Sequence, residues 1–120
     1  MAVRALRGAI QVDVDERDEV LLATTELLTA VLQRNAISQD DLISVVFTAT
    51  PDLRSEFPAY AARQMGITEV PLLCAAEIDV PGAMPRVLRL LAHVETELPR
   101  ADLRHVYLRG AAGLRTDLPT

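Results

Sequence analysis

Pro71-Leu-Leu-Cys-Ala-Ala-Glu-Ile-Asp-Val-Pro-Gly-Ala-Met-Pro-Arg-Val-Leu-Arg-Leu-Leu91 is the stretch on which the reading of this chain turns. Its apolar start reads as a strand over residues 70–75, with Cys74 at its end and the carboxylate of Glu77 just past it. Pro81-Gly82 then breaks the chain. Beyond the break, Met84, Val87, Leu88, Leu91 and Val94 recur at the spacing of an amphipathic helix that ends near Leu98-Pro99. Arg86, Arg89 and His93 share another side of that helix. A strand end, a turn and a helix would so bring one acid and one guanidinium together as the floor of a site for a small anion.

Upstream, residues 2–12 alternate as a strand, with Leu6, Gly8, Ile10 and Val12 on one face and Val3, Ala5, Arg7 and Ala9 on the other. Arg7 thus stands among small apolar neighbours. The acidic run from Asp13 to Glu19 suits a helix start with Asp15 as N-cap, and an amphipathic stripe continues to about Arg34, where Asn35 ends it. Ser38 with Asp41 predicts a capped turn. The apolar run 42–49 reads as a strand covered on both faces. Pro58 and Gly66 bracket a short helix, with Phe57, Ala59, Tyr60 and Arg63 clustered near it. Residues 103–109 make a last strand with His105, Tyr107 and Arg109 on one face. The expected order is β-α-β-α-β-α-β, and the fold class is α+β, a mixed sheet with helices packed on one face. The whole of 1–120 reads as one domain, with a flexible tail from about 110.

Bulk composition narrows the function. Net charge is −5, which argues against nucleic acid or an anionic membrane as partner. All 12 basic side chains are arginines, so lysine nucleophiles, Schiff bases and a Walker-type phosphate loop are excluded. One cysteine permits no internal disulfide, and a reducing cytoplasm fits. No apolar run approaches the roughly 20 residues that cross a bilayer, and no leader segment is expected at Met-Ala-Val-Arg. His93 and His105 have no partner at metal-ligand spacing, and the serines lie in no elbow motif, so no metal site is expected. Cys74 reads as a buried thiol rather than a nucleophile. Arginines, one glutamate and one tyrosine remain, a set suited to holding a dianion and stabilising charge electrostatically.

Arg4-Ala-Leu-Arg-Gly-Ala9, Ala49-Thr-Pro-Asp-Leu53, Phe57-Pro-Ala59, Arg63, Cys74-Ala-Ala-Glu-Ile-Asp-Val80, Arg89 and Arg104-His-Val-Tyr-Leu108 together resemble the motifs of the monofunctional AroH-class chorismate mutases, in order and spacing along essentially the whole chain. The resemblance implies a homotrimer forming a pseudo-α/β barrel, with sites between subunits. It also implies the rearrangement of chorismate to prephenate, without cofactor, on the route to phenylalanine and tyrosine. By the same resemblance Arg89 would reach the breaking ether oxygen and the enolpyruvyl carboxylate, and Arg7 and Tyr107 would hold that carboxylate. Glu77 and the backbone of Cys74 would bind the ring hydroxyl. Phe57, Ala59 and Arg63 would come from the adjacent subunit, Tyr60 would be a further substrate-binding residue, Leu72 and Leu73 would line the wall, and Leu114-Arg115 would close the mouth. Tyr60 stands where members often carry lysine, and Leu73 where threonine is familiar. A trimeric imine deaminase of similar architecture and a non-catalytic ligand-binding module are the competing readings.

Overall fold

In the computed structural model, residues 1–114 are described; Arg115 and the rest of the expected tail lie outside the described residues. The strands are β1 (Ala2–Gln11), β2 (Leu42–Ala49), β3 (Leu72–Ala76), β4 (Val87–Thr96) and β5 (Val106–Leu108). The helices are α1 (Arg17–Arg34) and α2 (Pro58–Gln64), and 3-10 turns occupy Gln39–Asp41, Arg100–Asp102 and Arg109–Gly113. The strands form one mixed sheet in the order β3-β2-β4-β1-β5. β4 runs antiparallel to both its neighbours, while the β1–β5 and β2–β3 pairs are parallel. The α+β class with a mixed sheet stands as expected.

The third helix does not exist; its residues are the central strand β4, so the chain runs β-α-β-α-β-β-β. Leu88, Leu90, Ala92, Val94 and Thr96 are buried at alternate positions, and Arg89, Leu91, His93 and Glu95 face the other way. Leucine, arginine and alanine favour helix only weakly, by tenths of a kcal/mol per residue. Here β4 is paired along its length by β1 and again by β2, and that double ladder decides the conformation.

α1 lays Val20, Ala23, Leu27, Leu28 and Val31 into the core against Leu6, Ile10, Leu88 and Leu90. Gly8 lets it approach: a Cβ there would lie 3.1 Å from Leu27 and 3.2 Å from Val31. Asn35 ends α1 as expected, and its side-chain amide donates to the carbonyls of Val31 and Arg104, tying the helix end to the approach of β5. The N-cap is Glu16 rather than Asp15. Asp15 instead accepts the Ser55 hydroxyl at 2.7 Å and the main-chain N–H groups of Arg54 and Ser55.

β2 departs from the sequence reading in one respect. Val45 and Phe47 enter the helix-covered core, but Ser44, Val46 and Thr48 stay partly exposed on the face that α1 and α2 leave uncovered. That open face also shows Val3, Leu73 and Leu91, all exposed apolar residues.

Candidate active site

The open face is organised in levels by strand register. Thr48 lies opposite Arg89, Arg89 opposite Ala9, Ala9 beside Tyr107, and Thr48 beside Ala75. One residue from each strand therefore meets at a single height across the sheet. Arg7 is opposite Leu91, two residues along β4, which makes Arg7 and Arg89 diagonal neighbours on one face.

Glu77 reaches this level from just beyond β3. Its main-chain N–H donates to the Ala49 carbonyl at 2.9 Å, extending the β2–β3 ladder by one residue. The Thr48 hydroxyl donates to Glu77 Oε2. Arg89 Nε lies 3.6 Å from Glu77 Oε1, with the two side chains 41 % and 25 % exposed. That Nε–H is buried and has no hydrogen-bond partner among the described residues. Buried donors are nearly always bonded, so an Nε–H left open beside a carboxylate is available to a ligand. Two guanidiniums against one carboxylate leave an excess positive charge that suits an anion.

The start of β4, and with it the placing of Arg89, is set by a clamp of polar groups. Arg86 has a positive φ of 52°, a conformation that costs a non-glycine residue free energy. Its main-chain N–H donates to both Asp52 carboxylate oxygens, at 3.1 and 3.0 Å, and its Nε–H to the Val12 carbonyl at 2.9 Å. The Val87 N–H donates to the Thr50 hydroxyl. These bonds offset the strain and fix where the strand begins.

The other expected residues fall into three groups. Tyr107 is buried against Ala9, Val87 and Ala111, with Leu114 packed beside it, and so stands next to the Arg89 level. Cys74 packs its half-buried thiol toward the core. Pro71 and Glu77 bond to β2 through C=O and N–H, so the alternation of a parallel ladder turns the main-chain groups of Cys74 to the free edge. Leu72 turns into the core and Leu73 outward.

Phe57, Ala59, Tyr60 and Arg63 are not brought to Arg89 within one chain. They sit on or beside α2, which packs against α1 and β3. Phe57 is 70 % exposed and lines a cleft of about 580 Å³ with Thr48, Pro58, Cys74 and Ala75. Ala59 is buried, Arg63 is exposed, and Tyr60 receives the Arg17 guanidinium over its ring at 5.3 Å.

Sequence reasoning missed Thr48 and the Thr50–Asp52–Arg86 clamp. The signal for Thr48 was present: Ser44 and Thr48 are the polar residues of an otherwise apolar strand, four apart and so on one face.

The chain is similar to known proteins of one family. Residues 3–118 match the family described as chorismate mutase type I. The chorismate mutase AroH of Thermus thermophilus is 52 % identical over 117 residues, 97 % of this chain and 96 % of that protein. The AroH of Bacillus subtilis (strain 168) is 38 % identical over 119 residues, 98 % and 94 % of the two chains. The solved structure of a chorismate mutase from Clostridium thermocellum superposes with a TM-score of 0.90 at 44 % identity, over 92 % of this chain and 98 % of that one. The fold that carries Arg7, Glu77, Arg89 and Tyr107 is thus shared with the solved Clostridium thermocellum enzyme, and the chain belongs to the type I chorismate mutases.

Proposed function

We propose that the Arg89 level of the open face is where this isomerase converts chorismate to prephenate. The carrying observation is the buried Arg89 Nε–H, without a protein acceptor among the described residues and steadied beside Glu77. In the rearrangement an ether C–O bond breaks as a C–C bond forms within one molecule, and no proton is transferred. The protein's task is to hold a compact conformer and to meet charge where it grows.

Arg89 serves the ether oxygen and the enolpyruvyl carboxylate, and Arg7 and Tyr107 hold the same carboxylate. Glu77, oriented by Thr48, and the edge-facing main chain of Cys74 take the ring hydroxyl. One preorganised charged donor at the ether oxygen contributes about 3–4 kcal/mol, out of the ~8 kcal/mol that an enzyme at the low end of the usual range requires. No metal or cofactor enters this scheme.

The exposed Phe57 with Ala59, Tyr60 and Arg63 belongs in this reading to the site of an adjacent subunit. The wall is completed by Leu72 and Leu73, and Leu114 with Arg115 closes the mouth. Three copies meeting through their open faces would cover Val3, Leu73 and Leu91 and bring the two half-sites together. The expected location is the cytoplasm.

The deciding experiment follows chorismate loss and prephenate formation by the purified protein, with a chelator present and nothing else added. Conversion well above the uncatalysed rate is the expected result. Tight chorismate binding without conversion would leave only a binding module.

A further inference from the structure

Residues 50–57 run from the end of β2 to the start of α2 and carry the exposed Phe57 at their last position. A surface connection of this kind moves unless side chains tie it down. It is tied at both ends. The Thr50–Asp52–Arg86 clamp holds the first, and the start of α1 holds the second. We propose that Arg17, acting through Glu56, is a positioning residue for Phe57: it sets the direction in which that ring is presented to the adjacent subunit's site, without touching chorismate itself. This role rests on the place given to Phe57 above and deepens it.

Glu56 is the link. Its Oε2 accepts the Arg17 Nε–H at 2.9 Å, and its Oε1 accepts the Phe57 main-chain N–H at 2.8 Å. The two oxygens belong to one rigid carboxylate, so holding one holds the other. Pro58 follows and confines Phe57 to extended backbone, where its φ of −76° and ψ of 126° lie. With its N–H fixed on one side and the proline ring on the other, the Cα–Cβ direction of Phe57 has little freedom left. Phe57 needs such support, because it occupies the N-cap of α2 without a side-chain oxygen to cap the helix.

Arg17 is itself well anchored. It is the first residue of α1, whose next turn buries Val20 and Leu21. Its guanidinium lies over the Tyr60 ring at 5.3 Å, so the first turn of α2 holds it from the other side. Asp18 Oδ1 competes for Arg17 Nη1 at 3.6 Å, but that carboxylate is almost wholly exposed, where such attraction is weak. Asp15 accepts the main-chain N–H groups of Arg54 and Ser55, so the segment already lies against the start of α1 and the ion pair has only a direction to set. Arg17 is half exposed, and ion pairs of this kind add little to global stability. A role in the fold alone would therefore leave substrate affinity untouched, whereas aiming Phe57 alters it.

Steady-state kinetics with chorismate on the parent, Arg17→Gln, Phe57→Leu and the double variant test the coupling. Both side chains are at least half exposed, so neither change empties the core, and circular dichroism checks folding. Arg17→Gln should raise KM roughly three- to tenfold, the range that the ordering of one side chain corresponds to, with kcat within about twofold. Tm should stay within ~2 °C of the parent. Arg17→Lys, which keeps the charge, should recover most of the affinity. In the Phe57→Leu background Arg17→Gln should add nothing, because the ring it aims is gone. A KM rise of equal size in both backgrounds, an unchanged KM in Arg17→Gln, or a Tm that falls in step with affinity would each overturn the proposal. Amide exchange followed by nuclear magnetic resonance reads the brace without substrate. Arg17→Gln should speed exchange of the Phe57 N–H at least ~threefold and leave the buried turns of α1 unchanged; an unaltered Phe57 rate would also overturn it. Exchange that responds in a protein that leaves chorismate untouched would uphold the brace and refute the proposed reaction.

Discussion

Arg89 and Thr48 illustrate how much a single side chain is asked to do. In the proposed scheme, Arg89→Ala removes a donor that acts mainly in the transition state. We expect kcat to fall by about 10²–10³, with an unchanged far-ultraviolet circular dichroism spectrum; near-normal turnover would refute its role. Thr48→Val keeps the shape and β-propensity of the residue but frees Glu77 Oε2 from its hydroxyl donor. One lost hydrogen bond of ~1–1.5 kcal/mol corresponds to roughly a tenfold drop in kcat/KM, measured by steady-state kinetics. Glu77 and Arg89 could be singled out because a strand end and a turn set them close together in the sequence; their roles, and that of Arg7, came from the family resemblance. Their common face could not, since it depends on strands far apart in the chain finding one register. Thr48 was legible only once β2 was known to have an uncovered side.

Elements were read well where their signals were local and less well where pairing decided them. α1, with its acidic start and Asn35 end, and α2, with Pro58 at its first turn, follow from the sequence directly. β4 did not, because Leu, Arg and Ala sit easily in either conformation and only two flanking strands choose between them. The contact between α1 and β1 is testable at Gly8. Gly8→Val would drive atoms into Leu27, Val31 and Leu90, and overpacking of this kind costs about 1–3 kcal/mol, read as a lower urea midpoint. At the other end of α1, the Ser55 hydroxyl above all, helped by the main-chain N–H groups of Arg54 and Ser55, holds the Asp15 carboxyl below its ordinary pKa against the opposing effect of burial. A depressed folded-state pKa means stabilisation that is complete above the unfolded value and is lost as pH falls through the folded one. Asp15→Asn should therefore lower Tm at neutral pH, and the gap to the parent should close in acid below the carboxyl's own pKa. A gap that persists there would point to packing instead of charge.

At the scale of the molecule, the helices cover one side of the sheet and leave the other to something else. Val3, Leu73 and Leu91 are exposed there beside the charged site, and Phe57 projects where its own core gives it no cover. Light scattering should give a particle of three times the 13.1 kDa chain; a monomer that converts chorismate at full rate would remove the need for shared sites. The dependence of the site on a common register also has a wider meaning. Because side chains alternate sides along a strand, displacing any one strand by a single position would carry its contribution to the wrong surface. The catalyst has no halfway form, so loss of activity in rising urea should superimpose on loss of the sheet itself, and turnover becomes a gauge of whether the molecule is whole.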